Sequence, residues 1–82
     1  MIRYKSVFNE NTLNIFTDAS TTTQQNELLG APGYIAVIDN IVVDKKIEIL
    51  RDTSISESEL FAIYMAIQYA VMNIDRVAAI NI

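Results

Sequence analysis

The sequence has no cysteine, no histidine and no tryptophan, and only two glycines and one proline among 82 residues. Without cysteine there is no disulfide, no thiolate nucleophile and no cysteine-ligated zinc. Without histidine, a Ser-His-Asp triad, an imidazole general base and most transition-metal sites are excluded too. Basic residues are also scarce. Six Lys and Arg against ten Asp and Glu give a net charge of −4, which leaves no electrostatic footprint for nucleic acid. No stretch is long and apolar enough to span a bilayer, and the opening MIRYKSVFNE lacks the apolar centre of a signal peptide, so a cytoplasmic location is the expectation. The chemistry left to such a chain is that of carboxylates.

What is present is apolar material: 51% of the residues are hydrophobic, too many for a disordered chain. At 82 residues the chain makes one domain, near the size where a single core is only marginally stabilising. Its strongest feature is the run LFAIYMAIQYA at 60–70. Leu60, Ile63, Tyr64, Ile67, Val71 and Ile74 follow the i, i+3, i+4, i+7 rule of an amphipathic helix. Phe61, Met65 and Met72 form a second stripe on the opposite side, so the helix is built to be covered twice. Ser56 with Glu59 three residues on reads as a capping box, Ile55 with Leu60 as its hydrophobic staple, and Asn73 and Asp75 as the stop.

Along the chain, residues 1–11 form an arm that carries no pattern. Leu13–Asp18 reads as a strand apolar enough to be buried on both faces. The polar run 19–27, ASTTTQQNE, extended by Gly30-Ala31-Pro32-Gly33, reads as a loop. Tyr34–Ile38 is a second strand, Asp39-Asn40 has the chemistry of a two-residue hairpin turn, and a third strand runs from Ile41 to Leu50. After the helix, Val77–Ile82 reads as a short buried strand. A strand, helix, strand succession is a crossover, so this last strand is expected to lie parallel to a neighbour. The fold class is therefore α/β: a three-stranded antiparallel meander, one helix, and a fourth strand parallel to the first (β-β-β-α-β), occupying 12–82.

That order, together with Ile15-Phe16-Thr17-Asp18-Ala19-Ser20, Gly33-Tyr34 and Glu59-Leu60-Phe61-Ala62-Ile63-Tyr64-Met65-Ala66-Ile67-Gln68, resembles the N-terminal part of the ribonuclease H family, in its type 1 and retroviral forms. The resemblance implies an incomplete ribonuclease H-like fold. It also implies hydrolysis of the RNA strand of an RNA–DNA hybrid with two Mg²⁺ (or Mn²⁺) ions. Oxygen ligands suffice for such ions, one activating a water and one stabilising the leaving oxygen. By position, Asp18 and Glu59 are the implied catalytic, metal-holding carboxylates, and Ala19, Ser20 and Ser56 the implied substrate contacts. The family's third metal-binding Asp follows the fourth strand, just past the place of Ile82, so little activity is expected of these 82 residues by themselves.

Simpler roles exist for the same residues. Glu59 is explained as a capping residue, and Asp18 as the end of a strand. Asp39, Asp44, Asp52, Glu57 and Asp75 read as turn, edge or solvated charges, and Lys45 with Lys46 as protection of an outer strand. The second expectation for function is an assembly or binding module without catalysis, a homodimer joined through Phe61, Met65 and Met72. No membrane partner is expected.

Overall fold

A computed structural model describes residues 3–5, by their backbone, and 11–82. Strands β1 (Arg3–Lys5), β2 (Thr12–Gln24), β3 (Glu27–Ile38), β4 (Ile41–Ile47) and β5 (Leu50–Arg51) precede helix α1 (Ile55–Met72), and β6 (Ala79–Asn81) follows it. One sheet runs β1-β6-β2-β3-β4, with β5 also paired to β3. β2, β3 and β4 form the antiparallel meander, and β6 lies parallel to β2 through the register Asn14↔Asn81. The Asn81 amide donates to Asn14 Oδ1 at 2.9 Å and pins that register. Part of the N-terminal arm is β1, antiparallel to β6; the rest of it, 1–2 and 6–10, lies outside the described residues.

The expected loop over 19–33 is instead the greater part of a long hairpin. β2 and β3 pair without interruption from Leu13↔Ile38 to Gln24↔Glu27. Only Gln25 and Asn26 turn, with φ of 51° and 64°. Both values are positive, as a type I′ hairpin turn requires, and Asn tolerates them. Asp39 and Asn40 form the second such turn, φ 52° and 64°, as their chemistry indicates. The β-branched Thr21, Thr22 and Thr23 favour strand strongly enough to override a polar composition. Pro32 is tolerated because it stands where the neighbouring chain has left β4 and not yet entered β5, and only its carbonyl is used, accepting from Glu48 N at 3.0 Å. The expected third strand breaks at this same point, Glu48–Ile49.

Helix α1 begins two residues earlier than the sequence pattern indicates. Its N-cap is Ser54, whose hydroxyl accepts from Glu57 N at 3.2 Å while the Glu57 carboxylate accepts from Ser54 N at 3.3 Å. Ser-x-x-Glu occurs twice in succession here. The turn at Asp52, φ 54°, leaves Ser54 extended at the helix mouth and so selects the first copy.

The face the helix turns to the sheet also differs. Met65, Ala66 and Ala70 are buried in one core with Leu13, Ile15, Tyr34, Ala36, Val77 and Ile80, and Ser58 and Ala62 are the other buried residues of the helix. The small residues face inward because the sheet already supplies bulky ones; at the helix start the approach is so close that a Cβ on Gly30 would stand 3.0 Å from Ser58 Oγ. The longer row, Leu60, Ile63, Tyr64, Ile67 and Val71, is exposed. The proposed dimer face of Phe61, Met65 and Met72 is therefore corrected. Met65 is 4% exposed within the chain's own core and Phe61 packs against that core, whereas Met72 is 78% exposed. The sheet face turned from the helix carries Phe16, Ile35 and Ile47, all exposed, so neither outer surface is covered by the described residues.

Candidate functional site

Asp18 lies midway along β2, opposite Gly33 on β3. Gly33 is required there, since a Cβ would approach Lys46 O to 2.7 Å. One oxygen of Asp18, Oδ1, accepts the backbone N–H of Ala19 at 2.9 Å, which orients the carboxylate. Glu59 sits in the second turn of α1. Because Glu57 makes the capping bonds, Glu59 has no capping duty and its exposed side chain is available.

Asp18 and Glu59 line one cleft of about 260 Å³, together with Thr17, Ala19, Ala62 and Ile63. The fold thus brings both implied metal-holding carboxylates, and Ala19, to one place from residues 41 positions apart in the chain. Asp18 also borders a second cleft, of about 340 Å³, on the uncovered sheet face, and Ser20, two residues on along the same strand, lines that cleft with it, beside Phe16, Ile35, Lys45 and Ile47. Ser56 is exposed in the first helical turn and lines neither cleft.

Two acidic residues lining one cleft suit Mg²⁺ or Mn²⁺. Mg²⁺ is held by one or two carboxylates, keeps several waters and takes further oxygens from phosphate. Three or more acidic side chains do not converge anywhere among the described residues. The parallel register indicates where another ligand would enter. Continuing Asn14↔Asn81 residue by residue, a strand prolonging β6 would set the third residue after Ile82 beside Asp18.

A cavity of about 490 Å³ lies between β4 and the second half of α1. Here Asp44, read from the sequence as a solvated charge, is half-buried and accepts a 2.5 Å hydrogen bond from the Tyr34 hydroxyl. Tyr34 also packs on Tyr69, ring centroids 5.3 Å apart. Burial, and then the Asp44 carboxylate, push the Tyr34 phenol well above its ordinary range; burial also raises Tyr69. No motif marks this group. Its only sequence signal is the strand register that puts Ala36 opposite Asp44 beside Tyr34, and a bulge at Val43 obscures that register.

No helix among the described residues is long and apolar enough to cross a membrane. Compared with known proteins, the chain matches no family model, no curated protein and no solved structure.

Proposed function

We propose that this chain carries two carboxylates of a metal-dependent nuclease site, Asp18 and Glu59, in a ribonuclease H-like domain that hydrolyses the RNA strand of an RNA–DNA hybrid. The single observation that carries the reading is the shared cleft: the two residues singled out by motif line one small opening between β2 and α1. The α/β frame, with its meander, one helix and β6 parallel to β2, supports it.

In this reading Asp18 and Glu59 hold Mg²⁺ or Mn²⁺, and the metal supplies an activated water and charge stabilisation at the scissile phosphate. The chain's own contribution is positional. The Ala19 amide orients the Asp18 carboxylate, and the capped helix fixes the backbone from which Glu59 projects. Ala19, beside the metal ligands, faces substrate through its backbone. A third acidic ligand, entering in the register described above, completes the set.

The test is Mg²⁺-dependent cleavage of an RNA–DNA hybrid by the longest natural form of the protein that contains these residues. Asp18→Asn is expected to lower the rate by at least about a hundredfold, because it removes a ligand charge at the metal. The 82-residue chain by itself is expected to cleave slowly, and to bind hybrid weakly given its net charge of −4. Full activity in Asp18→Asn would overturn the assignment.

A further inference from the structure

The cavity of about 490 Å³ between β4 and the second half of α1 shares no residue with the cleft of Asp18 and Glu59, and its size is that of a small-molecule site. Core residues line it, Tyr34 at 6% and Met65 at 4% exposure. Asp44 is half-buried beside them, its Oδ2 accepting from the Tyr34 hydroxyl at 2.5 Å. That bond fixes the carboxylate and engages one of its two oxygens. Two cations, Lys46 and Arg76, line the same cavity and are exposed. Lys46 is engaged with Glu48 at 3.5 Å. Arg76 is placed in the turn after the helix by its backbone N–H, which donates to Asn73 O at 3.0 Å. Among the described residues neither Arg76 nor Asp44 has an ion-pair partner. Both charges bear on one group, the Tyr69 phenol: burial raises its pKa most, Asp44 raises it further and Arg76 lowers it. The cavity thus holds one unpaired carboxylate and one unpaired guanidinium within electrostatic reach of the same hydroxyl.

We propose that this cavity binds a free α-amino acid with an apolar side chain, its ammonium on Asp44, its carboxylate on Arg76 and its side chain along Val43, Met65 and Met72. Charge decides the class. A simple anion would be repelled by the Asp44 carboxylate and a simple cation by the Arg76 guanidinium, whereas a ligand with one charge of each sign complements both. The protein's groups also suit the two ends. The phenol holds the Asp44 carboxylate in place as an acceptor, so little ordering is needed when an ammonium arrives. A guanidinium presents a fork of N–H donors that matches a carboxylate. Val43 and Met72 are 45% and 78% exposed, so an apolar side chain laid on them removes hydrocarbon surface from water.

The test follows the backbone amide resonances while L-leucine is added. Saturable shifts are expected on β4 around Asp44 and on the helix end from Gln68 to Arg76. The affinity is expected to fall at least about tenfold in Asp44→Asn, which keeps an acceptor for the Tyr34 hydroxyl, and again in Arg76→Gln, since each removes a charged partner. Leucinamide, which lacks the carboxylate, is expected to bind more weakly and to be insensitive to Arg76→Gln. N-acetyl-L-leucine, which lacks the ammonium, is expected to be insensitive to Asp44→Asn. No saturable shift at these residues, or an affinity for leucine unchanged in either variant, overturns the proposal.

Discussion

Tyr34 is the residue on which burial, register and electrostatics meet. Its ring is part of the core and its hydroxyl is committed to Asp44. The fold therefore favours the neutral phenol, first by burial and then by the neighbouring carboxylate, and lifts the folded pKa above the ordinary 10.0. The sign follows from that order. A group whose folded pKa is raised contributes its full stabilisation below the unfolded value and loses it as pH climbs past that value toward the folded one. The denaturation midpoint is thus expected to hold steady to about pH 9 and fall beyond it. In Asp44→Asn, which removes the carboxylate and leaves the burial, the fall is expected to be shallower; an identical alkaline slope would show that Asp44 does not act on Tyr34. None of this is legible in the residues themselves. Asp44 looks like any surface acid until the bulge at Val43 turns it to the helix side of the sheet. Asp18 and Glu59 are legible because each belongs to a short motif, whereas Ser20 shares Asp18's motif and one of its clefts but not the cleft that Glu59 lines.

At the scale of elements, the parts set by local chemistry are legible and the parts set by competition are not. The Asp39-Asn40 turn, the helix and the last strand follow from turn residues and apolar periodicity. The Gln25-Asn26 turn is hidden in a polar run because threonine serves strand and loop equally well in composition. Two overlapping capping boxes compete for the helix start, and the wider chain chooses Ser54. Ser54→Ala is therefore expected to cost about 1 kcal/mol, and Ser56→Ala only a few tenths, in urea unfolding; equal losses would mean that the cap is shared. Amphipathicity misleads for a definite reason. Both sides of α1 are apolar, and the sheet takes the side with the smaller residues because Leu13, Ile15 and Tyr34 already fill the space between the layers. That choice leaves the larger residues, Leu60, Tyr64, Ile67 and Val71, outside.

At the scale of the whole molecule, the described residues form a sheet with one helix layer and leave two apolar surfaces uncovered, one on the back of α1 and one on the sheet around Phe16, Ile35 and Ile47. A core of this size is near the lower bound for independent stability, so further burial at either surface adds appreciably to it. The carboxylate cleft opens between β2 and α1 and borders both, through Ile63 on the helix and through Asp18, which also lines the cleft around Phe16, Ile35 and Ile47. The central claim is that Asp18 and Glu59 act together as metal ligands. It is tested most directly by following the backbone amide resonances while Mn²⁺ is added. Selective broadening around Thr17–Ala19 on β2 and around Glu59–Ile63 on α1, lost at both places in Asp18→Asn, is the predicted result. Broadening that centres on other acidic residues, or that persists around Glu59 when Asp18 is replaced, would contradict it.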